Sequence, residues 1–255
     1  MINALLHIIL SIIAATAALP ERTVTGGAFQ APLLQDRQTP NTAEHAQREL
    51  NQAPAEEALP SDRRLREARL AKNARYNSRG PDLTRRGSES FIDQEWPRAL
   101  PIIPAKESNL TVVAEVVRMQ PYLSKDHSRI YTEITVRPEE VIKSDQHLET
   151  SSAVVIDRVG GVLRTQSGQI VNDNIMIDGL GRTRIGGRYI LFAKKIHNGR
   201  DLTLIRGYEL RAGRVFRLED NGNSGSALVS STPGASDIPS DEKSFLEAAC
   251  RKAHM

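Results

Sequence analysis

The sequence predicts one mainly β domain with long polar flanks. Between residues 108 and 219, short runs of Val, Ile, Leu and Tyr alternate with Gly, Asn and Pro turn signals. No segment with the periodicity of a helix lies between these runs. Many short antiparallel strands without intervening helices form a small barrel or a sandwich. The whole chain is only 39% hydrophobic, because the segments on both sides of this region are rich in polar residues.

The first predicted element is an apolar helix over residues 4–19, interrupted only by His7. Such a helix would be about 24 Å long, which is short of the roughly 30 Å hydrocarbon core of a bilayer. Its length and the small residues at 15–18 favour a secretory signal, whereas the absence of Lys or Arg before it leaves an uncleaved anchor or an upstream start open. We therefore expect residues 1–19 to be a signal peptide or membrane anchor. The protein would then be exported and be periplasmic, extracellular or membrane-anchored.

Residues 20–107 are predicted to form a largely disordered linker, since Pro, Ala, Gln and Glu dominate without a sustained period. Within this linker a basic helix is expected at residues 61–76, with Ser61 as its cap and Asp62 near its positive end. We interpret it as a solvated helix rather than a site for anionic lipid or nucleic acid, because no aromatic residues are interspersed among its arginines. The basic residues of this region are Arg63, Arg64, Arg66, Arg69, Lys72, Arg75, Arg79, Arg85 and Arg86.

From residue 110 onward the pattern is that of β-strands and tight turns. The turn signals are Ser167-Gly168, Asn198-Gly199 and Ala212-Gly213, and Pro138 predicts a bulge or break because it cannot donate to a strand ladder. The predicted strands are 110–120, 129–144, 152–161, 174–179, 186–196 and 201–206, with hairpins over 162–172 and 208–219.

Two segments of this region carry a resemblance to known proteins. Val141-Ile142-Lys143 ends a long bent strand, and residues 185–192, IGGRYILF, form a later apolar strand. In these elements the region 108–219 resembles a group of uncharacterised exported bacterial β-barrel proteins and, more distantly, the modules of netrins and tissue inhibitors of metalloproteinases. The resemblance implies a small antiparallel OB-like β-barrel and no particular chemistry. Those inhibitors use a cysteine at the start of the mature chain, and the one cysteine here is Cys250, so inhibition of proteases is not implied.

The segment 222–230, GNSGSALVS, is similar to the nucleophile loop of trypsin-like serine proteases. Acyl transfer by Ser224 would need a histidine base and an orienting aspartate. None of the six histidines has the Thr-Ala-Ala-His type of context, and His127 and His197 fall in predicted turns. We therefore interpret residues 220–239 as a flexible tether. A C-terminal helix at 240–253 follows it, with Phe245, Ala248 and Ala249 on its apolar side.

The sequence gives only weak signals for catalysis by paired carboxylates or for metal binding. Glu139 and Glu140 would face opposite ways on a strand, and Asp126-His127 lacks further metal ligands nearby in sequence. Asp157, Asp173 and Asp178 are scattered, and we expect them to be solvated. The sequence predicts no catalytic, cofactor-binding or metal-ligating residue.

The nucleic-acid class is also weakly supported. Aromatic residues make up only 4% of the chain, whereas single-strand binding relies on exposed rings. We expect the aromatic residues of the β domain to be core or rim residues: Tyr122, Tyr131, Tyr189, Phe192 and Tyr208. The favoured function is a non-enzymatic binding or scaffolding module of the bacterial envelope, with an unidentified protein or envelope component as partner. A serine hydrolase using Ser224 and an OB-like nucleic-acid-binding protein are the alternatives.

Overall fold

The computed structural model describes residues 53–85, 100–145, 148, 152–173, 181–218 and 239–255. Several predictions fall outside these residues. They concern the helix at 4–19, the strand at 174–179, Ser224 and all but the last residue of the tether at 220–239.

The described chain is mainly β, as predicted. Two helices flank the strands in sequence, α1 (Arg63–Arg75) and α2 (Glu242–Ala253). The strands are β1 (Leu110–Leu123), β2 (Ile130–Ser144), β3 (Val154–Val159), β4 (Gly161–Arg164), β5 (Ile170–Asp173), β6 (Arg188–Ile196), β7 (Asp201–Arg211) and β8 (Arg214–Arg217).

Six strands form one antiparallel sheet in the order β3-β2-β1-β6-β7-β8, and β4 pairs with β5 in a separate hairpin. In addition, β3 lies parallel to β7 at a single register point, Asp157 beside Thr203. The hairpin between β7 and β8 turns at Ala212 and Gly213, whose φ angles of 51° and 71° are those of a primed two-residue turn. The predicted irregularity at Pro138 is present, since the β1–β2 register shifts between Val113 and Ala114, and Ala114 pairs with Pro138.

The sheet buries apolar side chains on both faces. Alternate residues of β1 separate, as the pleat requires: Val112, Ala114 and Val116 join one cluster, and Val113 joins another. We call the side of Val112 the first face and the side of Val113 the second face. Elements outside the sheet cover the second face, where Ile103, Ala105 and Phe245 belong to the same apolar cluster as Val113.

The C-terminal helix packs on this second face. Phe245 and Ala249, one turn apart, are fully buried, and the Phe245 ring lies 4.9 Å from that of Tyr208. Asp241 caps the helix by accepting a hydrogen bond from the backbone N–H of Ser244 at 2.9 Å. The start of this helix is also fixed to the β7–β8 turn, because the N–H of Glu242 donates to the carbonyl of Gly213 at 2.9 Å.

The prediction of a disordered linker is wrong for the described part of that segment, which packs against the sheet. Residues 54–56 run beside β4, with Arg164 N–H donating to Pro54 and Glu56 N–H donating to Arg164, both at 2.7 Å. Tyr76 and Leu83 are 5% and 3% exposed, so the chain on the C-terminal side of α1 is anchored by large buried side chains. The Pro-rich, polar composition predicts disorder, but a few well-spaced apolar residues are enough to hold this segment on a preformed surface.

Neither described helix is long and apolar enough to cross a bilayer.

The N-cap of α1 differs from the predicted one, because Asp62 rather than Ser61 accepts the hydrogen bond of Leu65 N–H, at 2.8 Å.

Candidate functional site

The basic residues of α1 fall into two groups by position. Arg69, Lys72 and Arg75 are three residues apart, so they lie on one side of the helix, and all three contact the sheet. Arg63, Arg64 and Arg66 are exposed to solvent. Helix α1 contains no buried residue, so polar contacts rather than an apolar stripe hold its own residues on the sheet. The prediction of a solvated basic helix is therefore wrong for its sheet-facing side.

Three carboxylates of the sheet receive these cations, and we call them the acidic face: Glu133 of β2, Asp157 of β3 and Asp201 of β7. Glu133 and Asp157 are direct cross-strand partners, an arrangement in which like charges repel. The ammonium of Lys72 lies between them, 2.8 Å from Glu133 Oε1 and 2.8 Å from Asp157. A cation at this point converts a repulsive pair of carboxylates into an attractive triad.

The two arginines bind carboxylates with both arms of the guanidinium. Arg69 donates to the two oxygens of Glu133 at 2.6 and 3.1 Å, and Arg75 donates to those of Asp201 at 2.6 and 2.7 Å. Such two-point pairs fix orientation as well as charge. The side chains of Asp157 and Asp201 are only 2% and 4% exposed, so these contacts are shielded from solvent far more than ordinary surface ion pairs.

Tyrosine rings fill the space between the charges. Tyr76 stacks on Tyr131 with centroids 4.1 Å apart, and its hydroxyl donates to Asp157 at 2.7 Å. The Tyr131 hydroxyl donates to Asn73 of α1 at 2.7 Å, and the guanidinium of Arg69 lies 3.8 Å from the centroid of Tyr122. The rings shield the ion pairs and add a cation–π contact.

The carboxylates of the acidic face titrate differently. Burial alone would raise the pKa of Glu133, but hydrogen bonds from Arg69 and Lys72 outweigh it and hold that pKa below its usual range. The pKa of Asp201 is likewise lowered, because hydrogen bonds from Arg75 and His197 outweigh its burial. Burial prevails at Asp157 and raises its pKa despite the nearby Lys72.

A cavity of about 280 Å³ adjoins the acidic face. It lies between residues 56–60, helix α1 and the loop after β1, and both signs of charge line it. The carboxylate of Glu57 at its edge accepts a hydrogen bond from Tyr122 and lies 3.3 Å from Arg118. Side chains of the protein itself therefore neutralise much of the charge that lines this cavity.

One histidine is oriented by an aspartate, as a hydrolase would require. His197 Nδ1 lies 2.8 Å from Asp201 Oδ2, in the turn between β6 and β7. Both oxygens of Asp201 also bind Arg75, so this aspartate already has a cationic partner. Ser224 lies outside the described residues.

The other candidate residues bind neighbouring groups of the protein and thereby stabilise local structure. The Asp126 carboxylate accepts hydrogen bonds from the hydroxyls of Ser124 and Ser128 at 2.8 and 2.6 Å, and it thereby closes the turn that carries His127. Glu139 pairs with Arg188 at 2.6 Å. Within the described ranges no group of three or more His, Cys, Asp or Glu side chains is arranged to hold a metal ion.

The expectation that Asp157 and Asp173 are solvated is wrong, since each is 1% exposed. Asp173 accepts a hydrogen bond from Ile130 N–H at 2.7 Å, and Asp157 belongs to the acidic face.

The prediction that the tyrosines are core or rim residues is confirmed by the burial of Tyr122, Tyr131 and Tyr189. The spacing of Arg69, Lys72 and Arg75 was the available signal for the site, but the pairing of Glu133 with Asp157 depends on strand register.

No protein-family model matches this sequence, and no curated protein or solved structure is significantly similar to it.

Proposed function

We propose that this protein is a non-enzymatic binding module whose acidic face binds a basic helix. In the described conformation the occupant is its own α1. The observation that carries the proposal is the position of Lys72, 2.8 Å from each of two carboxylates that are direct cross-strand partners. Without a cation the three carboxylates of the acidic face would repel one another beside buried rings.

The occupant is suited to exchange. Helix α1 has no buried residue of its own, and the side chains of Arg69, Lys72 and Arg75 are 21%, 17% and 22% exposed. Salt can therefore reach these cations from the solvent side and weaken their contacts. A helix held in this way can be displaced by another helix with the same spacing of cations. A partner that presents basic residues at positions i, i+3 and i+6 is the kind of ligand that fits this face.

The proposal extends to architecture. Strands β3, β2, β1, β6 and β7 are neighbours in that order, and the contact between Asp157 and Thr203 lies between the first and the last of them. This supports a sheet that closes into a small OB-like barrel, in agreement with the proposed relationship to exported bacterial β-barrel proteins and, distantly, to netrin-like modules. A closed sheet removes exposed strand edges, which favours a stable platform for the acidic face.

The proposed location is the bacterial envelope or the outside of the cell, and the apolar run at residues 4–19 supports it. Expression of the full chain in a bacterium, followed by fractionation, tests this point. We expect the protein in the periplasmic or membrane fraction. A chain found only in the cytoplasm with its first residues intact would contradict export.

Binding in trans tests the function directly. The variant Arg69→Gln, Lys72→Gln, Arg75→Gln of the full chain removes the three contacts of the native occupant, and glutamine preserves helix propensity. A fluorescent peptide covering residues 61–75 should bind this opened variant, and its affinity should fall as NaCl is added. The wild-type protein, whose face is occupied, should bind the peptide much more weakly. Fluorescence anisotropy measures both.

Two matched controls sharpen this experiment. The variant Arg63→Gln, Arg64→Gln, Arg66→Gln removes the same charge from exposed residues in the N-terminal half of α1 and should behave as wild type. A peptide with Arg69, Lys72 and Arg75 replaced by Gln should not bind the opened variant. The proposal is wrong if the opened variant keeps its β-sheet circular dichroism yet fails to bind the native peptide.

The hydrolase alternative retains one supporting contact, that between His197 and Asp201. A fluorophosphonate probe distinguishes the two functions. We expect no labelling of the native protein. Labelling that disappears in Ser224→Ala would contradict the non-enzymatic proposal.

A further inference from the structure

The cavity of about 280 Å³ beside the acidic face is lined by more charged residues than its own ion pairs use. Arg69 binds Glu133 at 2.6 Å, and Arg118 lies 3.3 Å from Glu57. These four residues line the cavity in two pairs of opposite charge. A charged ligand therefore has to use other groups of the lining.

Two further charged residues of the lining are Glu56 and Lys125. The carboxylate of Glu56 accepts the backbone N–H of Gln166 at 3.4 Å, and no cation of the described residues pairs with it. The ammonium of Lys125 has neither a hydrogen bond nor an ion pair to any residue that the structure describes. The cavity therefore offers one anion and one cation that do not pair with each other.

The main chain fixes both of these residues on different elements. The N–H of Glu56 donates to the carbonyl of Arg164 in β4 at 2.7 Å. The N–H of Lys125, in the loop after β1, donates to the carbonyl of Asn73 in α1 at 3.2 Å. Since the backbone at both ends of the site is already held, a ligand between them pays little to order the chain.

The cavity also has an apolar part. Leu59 and Leu70 both line it and are 46% and 38% exposed. A ligand that covers the two leucines removes apolar surface from water, which favours binding. The volume lies just below the roughly 300–1,000 Å³ of sites for drug-sized molecules. A ligand for this cavity is therefore small, carries both signs of charge and has an apolar group.

We propose that this cavity binds a dipeptide with free termini and an apolar side chain. Its ammonium would pair with Glu56, its carboxylate would pair with Lys125, and its side chain would cover Leu59 and Leu70. Ion pairs reinforced by hydrogen bonds are stronger than neutral hydrogen bonds, so the two termini would decide the orientation of the ligand.

Two features favour a dipeptide over a single amino acid. In an amino acid both charges are carried on one carbon, whereas Glu56 and Lys125 belong to different elements and do not contact each other. The peptide unit of a dipeptide separates the two charges. Asn73 and Gln166 of the lining carry amide groups, which can donate to and accept from a peptide bond. This site does not require α1 to exchange, because its ligand would bind the described conformation.

Methyl NMR of the wild-type full chain tests the proposal with the dipeptide Ala-Leu as the probe. The methyl resonances of Leu59 and Leu70 should shift and saturate, with a dissociation constant of about 1 mM or below. Those of Leu210, on the second face, should not move. N-acetyl-Ala-Leu lacks the ammonium and Ala-Leu-amide lacks the carboxylate, so each should bind at least about tenfold more weakly, or about 1.4 kcal/mol.

Charge variants assign each terminus to its residue. Glu56→Gln should weaken Ala-Leu binding about tenfold, and acetylation of the dipeptide should then cause little further loss, because both changes remove the same contact. Lys125→Gln should show the same relation to Ala-Leu-amide. The control variants Glu107→Gln and Lys106→Gln make equal charge changes at exposed positions and should leave binding unchanged.

The wild-type titration remains decisive even where a variant does not fold. Three results would overturn the proposal: no saturable shift of Leu59 and Leu70, binding of either blocked dipeptide as tight as that of Ala-Leu, or equal weakening by the control variants.

Discussion

At the scale of single residues, the acidic face depends on carboxylates that are shielded from water and neutralised by one helix. Asp201 is the clearest case, because its side chain is 4% exposed and both its oxygens bind Arg75. Removing one partner of a buried pair leaves the other charge uncompensated, which costs more than the pair itself contributes. His197 contacts Asp201 as well, but it is a weaker substitute for a two-point guanidinium contact.

We expect Arg75→Ala to lower the free energy of unfolding by about 3 kcal/mol, the lower end for a buried pair, because Arg75 itself is partly exposed. Urea denaturation measures this change. The matched substitution Arg64→Ala, on the exposed side of the same helix, should alter stability by less than about 0.5 kcal/mol. Equal effects of the two substitutions would show that the Asp201 contact adds nothing.

The carboxylates also predict how stability depends on pH. The pKa values of Glu133 and Asp201 are lowered in the folded protein. Their contribution is therefore present above the unfolded values of about 4.3 and 3.9, and it is lost as the pH falls through the lowered folded values. Asp157 acts in the opposite direction, since its pKa is raised by burial and its contribution is lost as the pH rises. The contributions of Glu133 and Asp201 should therefore be lost in acid, whereas that of Asp157 should not.

Urea unfolding at several pH values between about 6 and 3 checks this sign. Asp126 and Asp241 have lowered pKa values too, so the informative quantity is the difference between wild type and Glu133→Gln, Asp201→Asn. The wild-type protein should lose more stability on acidification than this double variant. Parallel pH profiles would show that the two carboxylates are not stabilised by α1.

At the scale of elements, the two described helices pack by different forces. Helix α1 relies on ion pairs and has no buried residue, whereas α2 inserts Phe245 and Ala249 into the apolar cluster of the second face. Apolar burial is insensitive to salt and acid, but charge contacts are not. This difference agrees with the proposal that α1 exchanges while α2 stays in place.

Truncation of the buried ring of α2 should be costly. Phe245→Ala is expected to lower the free energy of unfolding by about 3–5 kcal/mol, because it leaves a cavity beside Tyr208. Thermal or urea denaturation measures the loss, and the exposed Lys243→Ala is the control. A loss below about 1 kcal/mol would mean that α2 is not part of the core.

At the scale of the whole molecule, periodicity predicted the strands well and the flanks poorly. The alternation along β1, the turn at Ala212-Gly213 and the irregularity at Pro138 are local properties, so they could be predicted from sequence. The docking of α1 could not. It depends on which residue of β3 is opposite Glu133, and a change of one residue in register would place Asp157 on the other face.

The polar linker was mispredicted for a related reason. Composition describes the average of a segment, whereas its attachment depends on a few residues such as Tyr76 and Leu83. The burial of Arg158, in one cross-strand row with Thr132 and Pro121, was missed because three strands form that row together. Both features are long-range, and no single segment of the sequence contains them.

Hydrogen exchange of residues 63–75 tests the central claim most directly, namely that ion pairs to the acidic face hold α1. A helix of this length is marginal in isolation, so its amide protection reports docking. We predict strong protection in the wild type and in Arg63→Gln, Arg64→Gln, Arg66→Gln, and loss of protection in Arg69→Gln, Lys72→Gln, Arg75→Gln. Equal protection in all three proteins would contradict the account.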